Sequence, residues 1–358
     1  MFRRKTRNPS RKVRLTLERM ETRDVPSVAV DALTHPHRFA VGSAEGQPAQ
    51  VSVYESGTNA LLTMMTPFGR EFTGGVRVAT GDLTGDGIDD LVIAAGSGGP
   101  RVKVFDGATH KVIADFYAFS MTSRVGSYIA IGDVTGDGRA DLVAGAGEGL
   151  RPQVKVFRGQ DLTPTVGTVV TNPPAATNFF AFDANFTGGV RVAVGDVSGN
   201  GIGDIIAAPG AGATPIVKVF MTRAAWGHTP FSRHAADVTT LQVGGVNDTG
   251  GVFVAAGDLT GDGRADIAVG RMVGTKATVT VYSGASMQTK LLEGFGFTPT
   301  APGGVPVTMK DLNSDGRVEV LAGGGTGVSQ VRVLSGNGGL VRSFMAFTPT
   351  YRGGVYVG

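Results

Sequence analysis

From Arg38 onward, apolar and polar positions alternate in short runs, and the same runs return in the same order. The fullest stretch reads GGVRVATGD (74–82), DLVIAAGSG (90–98), RVKVFDG (101–107) and KVIADFYAF (111–119). Val76 and Val78 alternate with Arg77 and Ala79, and Val102 and Val104 flank Lys103. Period-two runs of this length, bounded by glycine-rich breaks, predict short half-buried β-strands. Four of them in succession predict one small antiparallel sheet, with strands A to D running from the inside outward.

The unit then repeats. A second copy runs SYIAIGD, DLVAGAG, PQVKVFRG and NFFAFD; a third runs GGVRVAVGD, DIIAAPG and PIVKVFM. A fourth runs GGVFVAAGD, DIAVGR, ATVTVYSG and LLEGFGF, and a fifth GGVPVTMKD, EVLAGGG, SQVRVLSG and VRSFMAF. The C–D connections of the second and third copies are extended, at about 161–178 and 224–238. Before the first copy stand RFAVGS, AQVSVYES and ALLTMMTPF, which read as B, C and D strands without an A strand. After the fifth stands GGVYVG (353–358), an A strand with nothing behind it. Joining the two ends completes a sixth unit and removes the free edges of the ring. The fold class expected is therefore all-β: a six-bladed β-propeller of four-stranded antiparallel blades, closed by the C-terminal strand.

The A–B connections carry the candidate chemistry. GDLTGDGIDDLVIAAG places Asp82, Thr84, Asp86 and Asp90 at positions one, three, five and nine of a loop, with the carbonyl of Ile88 at position seven. Side-chain and carbonyl oxygens at that spacing, around a glycine at position six (Gly87), suit a hard cation, and an all-oxygen set favours Ca2+ over Mg2+. The second loop offers Asp133, Thr135, Asp137, Arg139 (carbonyl) and Asp141; the fourth offers Asp258, Thr260, Asp262, Arg264 (carbonyl) and Asp266. The third loop, with Asp196, Ser198, Asn200, Ile202 (carbonyl) and Asp204, has one charge fewer and should bind more weakly. The fifth has Asp311, Asn313, Asp315, Arg317 (carbonyl) and Glu319, whose longer side chain alters its reach. The first acids are spaced by 51, 63, 62 and 53 residues, the period of a repeat architecture. Five similar shells predict up to five structural Ca2+ sites. The competing reading is five glycine-rich turns whose acids only accept backbone amides.

Composition changes this picture little. There are 56 glycines among 358 residues, without a period of three, and no cysteine, so disulfides and thiolate ligands are excluded. The net charge of +3 conceals a division. Residues 1–24 hold nine Lys or Arg against Glu18, Glu21 and Asp24, which leaves the rest of the chain at −3. With no basic stripe on the repeats, nucleic acid is not an expected partner. No apolar run reaches 18 residues, so no transmembrane helix is expected. The divisions expected are a basic tail or sorting segment at 1–27, a linker at 28–36 and the propeller at 37–358. Val13, Leu17 and Met20 mark one face of a short basic helix in the tail.

The repeated FxGGVxVAxGDxTGDGxxDLVxAAGxGG unit resembles the FG-GAP or VCBS repeat, the calcium-loop propeller repeat also seen in integrin alpha chains. That resemblance covers about Arg38 to Gly358. It implies an adhesion, recognition or scaffold domain. Residues 15–27, LTLERMETRDVPS, resemble the L-E-x-L-E-x-R-x-x-P-S segment of planctomycete surface and exported proteins. Glu18, Glu21, Arg23, Pro26 and Ser27 match it, with Met20 where Leu is usual, and the resemblance implies export.

The function expected is a non-catalytic Ca2+-binding module for binding or scaffolding outside the cell or at its surface, with a protein or glycan ligand. A secreted lyase or hydrolase on a propeller scaffold is one alternative, and a self-associating cell-surface structural protein is another. The five histidines (His35, His37, His110, His228, His234) are scattered, no serine stands in a G-x-S-x-G context, and the paired acids all lie in the loops. The channel-side A strands offer chiefly Arg77 and Arg191. Phe179, Phe180, Trp226 and Phe231, on the extended C–D hairpins, are candidates for partner contact or edge packing. Phe68, Phe119, Phe182, Phe297 and Phe347, near the ends of D strands, are expected to pack blade against blade.

Overall fold

The computed structural model describes residues 37–163, 168–222, 237–273, 276–294, 304–325, 327, 329–348 and 350–358. The basic tail, the linker, Trp226, Phe231, Phe297, His35, His228 and His234 lie outside them.

The first three strands are β1 (Arg38–Ser43), β2 (Val51–Glu55) and β3 (Leu61–Met65). Blade one follows as β4 (Val76–Gly81), β5 (Asp90–Ala95), β6 (Arg101–Phe105) and β7 (Val112–Tyr117). Blade two is β8 (Ser127–Gly132), β9 (Asp141–Ala146), β10 (Gln153–Phe157) and β11 (Thr177–Phe180). Blade three is β12 (Val190–Gly195), β13 (Asp204–Pro209), β14 (Ile216–Phe220) and β15 (Val238–Gln242). Blade four is β16 (Val252–Gly257), β17 (Asp266–Val273), β18 (Lys276–Tyr282) and β19 (Lys290–Glu293). Blade five is β20 (Val307–Lys310), β21 (Glu319–Gly323), β22 (Gln330–Leu334) and β23 (Leu340–Met345). The last strand, β24 (Val355–Val357), pairs antiparallel with β1 through Val41–Val357 and Ser43–Val355, giving the closing sheet β24-β1-β2-β3. The six sheets are all four-stranded and antiparallel, as the strand pattern predicts.

B strands are buried along their whole length because both faces of a blade meet a neighbour; β5, β9 and β13 are uniformly buried. That explains their continuous apolar runs, whereas A and C strands alternate. The core is accordingly divided into six clusters, each lying between two adjacent blades. Val92, Val104 and Phe116 of blade one meet Leu142, Ala144 and Phe157 of blade two, for example. Val331 and Val333 of blade five likewise meet Phe39 and Tyr54 of the closing blade.

The recurrent D-strand phenylalanines join this packing through a cation. Lys103 lies 5.7 Å from the Phe68 ring, Lys155 5.4 Å from Phe119 and Lys218 5.2 Å from Phe182. The Lys103 and Lys218 ammonium groups also donate to the carbonyls of Pro67 and Ala181, just before those phenylalanines. In the closing blade Tyr54 donates its hydroxyl to the equivalent carbonyl, Ala346 O, beside Phe347.

The extended C–D hairpin of blade two begins with a single helical turn, Gly159–Leu162. Leu162 is fully buried in the core between blades one and two. Further on, Val170 donates to Ile113 O, and Asp115 donates to Val170 O, so the insert runs parallel to the outer edge of blade one. Phe179 is a core residue against Phe220, with ring centroids 4.8 Å apart, while Phe180 is exposed beneath the Arg151 guanidinium.

Candidate metal loops and the ends of the channel

All five acidic loops connect an A to a B strand and leave the same face of the ring. Their shared shape requires left-handed backbone at positions four and six. Gly85 and Gly87 have φ of 78° and 82°, and in the fifth loop Ser314 holds position four at 60°. Glycine adopts that region without steric cost.

The position-one carboxylate organises each turn. Asp82 Oδ1 accepts from the amides of Gly85 (2.6 Å) and Asp86 (3.1 Å), and Oδ2 accepts from Gly87 (2.8 Å). Asp133, Asp196 and Asp258 accept the equivalent three amides, and Asp311 accepts those of Asn313, Ser314 and Gly316. The residue at position five accepts the amide of position seven: Asp86 from Ile88, Asp137 from Arg139, Asn200 from Ile202, Asp262 from Arg264, and Asp315 from Arg317.

Position nine is a buried anchor. Asp90 Oδ2 accepts from Leu83 and Thr84, and Oδ1 accepts from Gly107 in the C–D turn at 2.7 Å. Asp141 takes Val134, Thr135 and Gly159; Asp266 takes Leu259, Thr260 and Gly284; Asp204 takes Ser198 and Thr222. Burial away from water pushes the Asp90 and Asp141 carboxyls up to about 6, opposed by the amides they accept. Asp204, Asp266 and Glu319 shift upward for the same reason.

Several loop oxygens keep lone pairs free for a cation. In the first loop Asp82 Oδ2 and Asp90 Oδ1 each accept one amide, and Asp86 accepts only one in all, so oxygen capacity remains at positions one, five and nine. In the second loop the buried Thr135 hydroxyl, at position three, lies against the Asp141 carboxylate, which it helps to hold. Loops one, two and four thus retain a compatible oxygen set. In the third, Asn200 turns its amide nitrogen to Thr222 O and keeps its oxygen inward on Ile202. In the fifth, Asn313 presents its nitrogen to Asp315 Oδ2 and Glu319 Oε1, so that a donor faces the acids. Among the described residues, no three His, Asp or Glu side chains are grouped closely enough to hold an ion as they stand.

The loops also grip one another. The position-eight amide of each donates to the position-one carbonyl of the loop before it: Ala140 to Asp82, Gly203 to Asp133, Ala265 to Asp196, and Val318 to Asp258. Arg264 adds bonds to the carbonyls of Val197 and Ser198. The loop of blade one has no acidic loop before it, because the closing blade joins β24 to β1 by pairing alone. There Asp89, at position eight, accepts from the Arg38 amide (3.1 Å) and from the Lys310 ammonium (2.6 Å), which also reaches Thr80. His37 stands 3.8 Å from the same carboxylate.

At the other end of the axial channel, the second A-strand residues Arg77, Tyr128, Arg191, Phe253 and Tyr356 form a ring, completed by Pro306 just before β20. The sequence points to the two arginines. The aromatic partners were legible only as members of an alternating strand.

The FG-GAP-like repeat model matches residues 82–144, and the FG-GAP repeat model matches residues 250–286. Among solved structures, a chain of the "Crystal Structure of Mitotic Checkpoint Complex" is 14% identical with a TM-score of 0.42, over 76% of this chain and 64% of that one. The Bacillus licheniformis rhamnogalacturonan lyase PL11 is 13% identical with a TM-score of 0.41, over 91% of this chain and 70% of that one. This chain therefore spans less than two thirds of the first of these structures. The matched segments hold the first, second and fourth acidic loops, and with the closed ring of six sheets they support an FG-GAP-like β-propeller.

Proposed function

We propose that the chain is a Ca2+-stapled propeller module that binds or scaffolds outside the cell or at its surface, without catalysis of its own. The observation that carries the reading is the unused oxygen capacity at positions one, five and nine of loops one, two and four. Bound there, Ca2+ would be held by positions one, three, five and nine with the position-seven carbonyl, and it would supply positive charge to offset closely spaced carboxylates. The third loop should bind more weakly for lack of a charge, and the fifth only after Asn313 turns its amide over. FG-GAP repeats are typical of extracellular and surface proteins, which supports that location. The ligand expected is a protein or a glycan.

Calorimetric titration of the full chain with CaCl2 tests the reading. Saturable binding of at least three ions, reduced by one in Asp137→Ala, supports it. Heat no larger than that of Mg2+ with Asp137→Ala unchanged would overturn it.

A further inference from the structure

The channel end opposite the acidic loops combines features that a structural plug does not need. The Arg77 guanidinium lies 3.8 Å from the Tyr128 ring centroid and 5.4 Å from that of Tyr356. Arg191 lies 4.8 Å from Tyr128 and 5.2 Å from Phe253. Two cations thus share one aromatic ring. Arg191 pairs with the exposed Glu148 at 3.1 Å and donates to the carbonyl of Gly188. Arg77 donates to the carbonyls of Gly96 and Ser127, is also engaged by Tyr128, and lies in the field of the Glu45 carboxylate. The Nε–H groups of both arginines are buried and have no partner, although Arg191 is only 8% exposed. A buried donor left unpaired is costly, and a guanidinium has the planar fork that a carboxylate fills with two parallel bonds. Between these side chains lies a cavity of about 60 Å³, continuous in its lining with one of about 140 Å³ along the axis. A water needs roughly 10–15 Å³, so several waters or one small anion have room.

We propose that the ring of Arg77, Tyr128, Arg191, Phe253 and Tyr356 is a binding site for a carboxylate. The small volume between the flat aromatic rings favours a planar carboxylate over a bulkier tetrahedral anion. The site is separate from the metal loops, since it uses the first residues of the A strands and the loops follow the last.

The test titrates full-length protein with [1-13C]acetate at constant ionic strength in chloride, following the acetate signal by NMR, with inorganic phosphate as the second probe. Saturable acetate binding is expected, weakened about tenfold or more in Arg77→Lys and in Arg191→Lys, which keep the charge and remove the fork. Arg101→Lys, which alters the ion pair with Asp115 far from the channel, should bind as wild type does. Circular dichroism checks each fold; where an arginine variant does not fold, Tyr356→Leu replaces it, with the same loss expected. Absence of saturation, equal binding by the variants, or tighter binding of phosphate than acetate would overturn the proposal.

Discussion

The amide of Gly107 donates to the Asp90 carboxylate at 2.7 Å, tying the C–D turn of blade one to the far end of its acidic loop. The same acid holds the amides of Leu83 and Thr84 at the loop's start. Two of these donors, Thr84 and Gly107, depend on this one side chain, while Leu83 also donates to the carbonyl of Gly81. An unsatisfied buried group costs about 1–3 kcal/mol. Asp90→Ala should lower stability by about 3 kcal/mol or more even in chelator, read from urea unfolding. Asp86→Ala, exposed and bonded only to Ile88, should cost under about 1 kcal/mol in chelator.

The buried acids also give a pH signature. The Asp90 carboxyl has an ordinary value of 3.8 and is raised to about 6 in the fold by burial. The folded state therefore holds this proton more tightly than the unfolded chain does. The contribution of Asp90 to stability is greatest below pH 3.8 and declines as pH rises through 6. In chelator, the difference in unfolding free energy between wild type and Asp90→Asn should move against the wild type across that window. With Ca2+ present the ion offsets the carboxylate charge, and the movement should shrink.

Blades approach each other closely where glycine replaces a side chain in a B strand. A Cβ at Gly145 would stand 2.2 Å from Val190 O of the next blade. Gly145→Ala should cost about 1–3 kcal/mol, the usual penalty of overpacking. Gly245 has open space around it, and Gly245→Ala should be neutral within about 0.5 kcal/mol. Paired thermal melts check both.

Lys310 stands where the other A strands carry Gly81, Gly132, Gly195 and Gly257. Its ammonium spans the closing blade to Asp89 and Thr80 of blade one. Lys310→Met should lower stability by about 2 kcal/mol, the scale of a hydrogen bond to a charged group. Hydrogen exchange should show the loss concentrated in β1 and β24.

Much of this fold is written in local periodicity. Strand order, six blades and closure by residues 353–358 follow from counting A, B, C and D runs, because each blade is built from neighbours in sequence. The loop acids were legible for the same reason. The second partner of position nine was not: Asp90 and Gly107 are 17 residues apart, and nothing local marks the amide as a partner. The pairing of Val170 with the edge of blade one was equally hidden, since it depends on where an insert falls in space. Loop-to-loop bonds such as Ala140 to Asp82 require the ring to exist first. The backbone amides that satisfy the loop acids are what the simpler reading of these turns predicts, and they leave room for a cation in three loops.

Whether Ca2+ stabilises these loops is read from thermal unfolding of the full chain in chelator and across a CaCl2 titration, with MgCl2 alongside. A ligand that binds only the folded state stabilises it by about 2.7 kcal/mol at a hundredfold excess over its dissociation constant. Tm should rise saturably with Ca2+, much less with Mg2+, and less in Asp137→Ala. A Tm that does not move with Ca2+ would mean that the five loops are amide-bonded turns of a propeller that needs no ion.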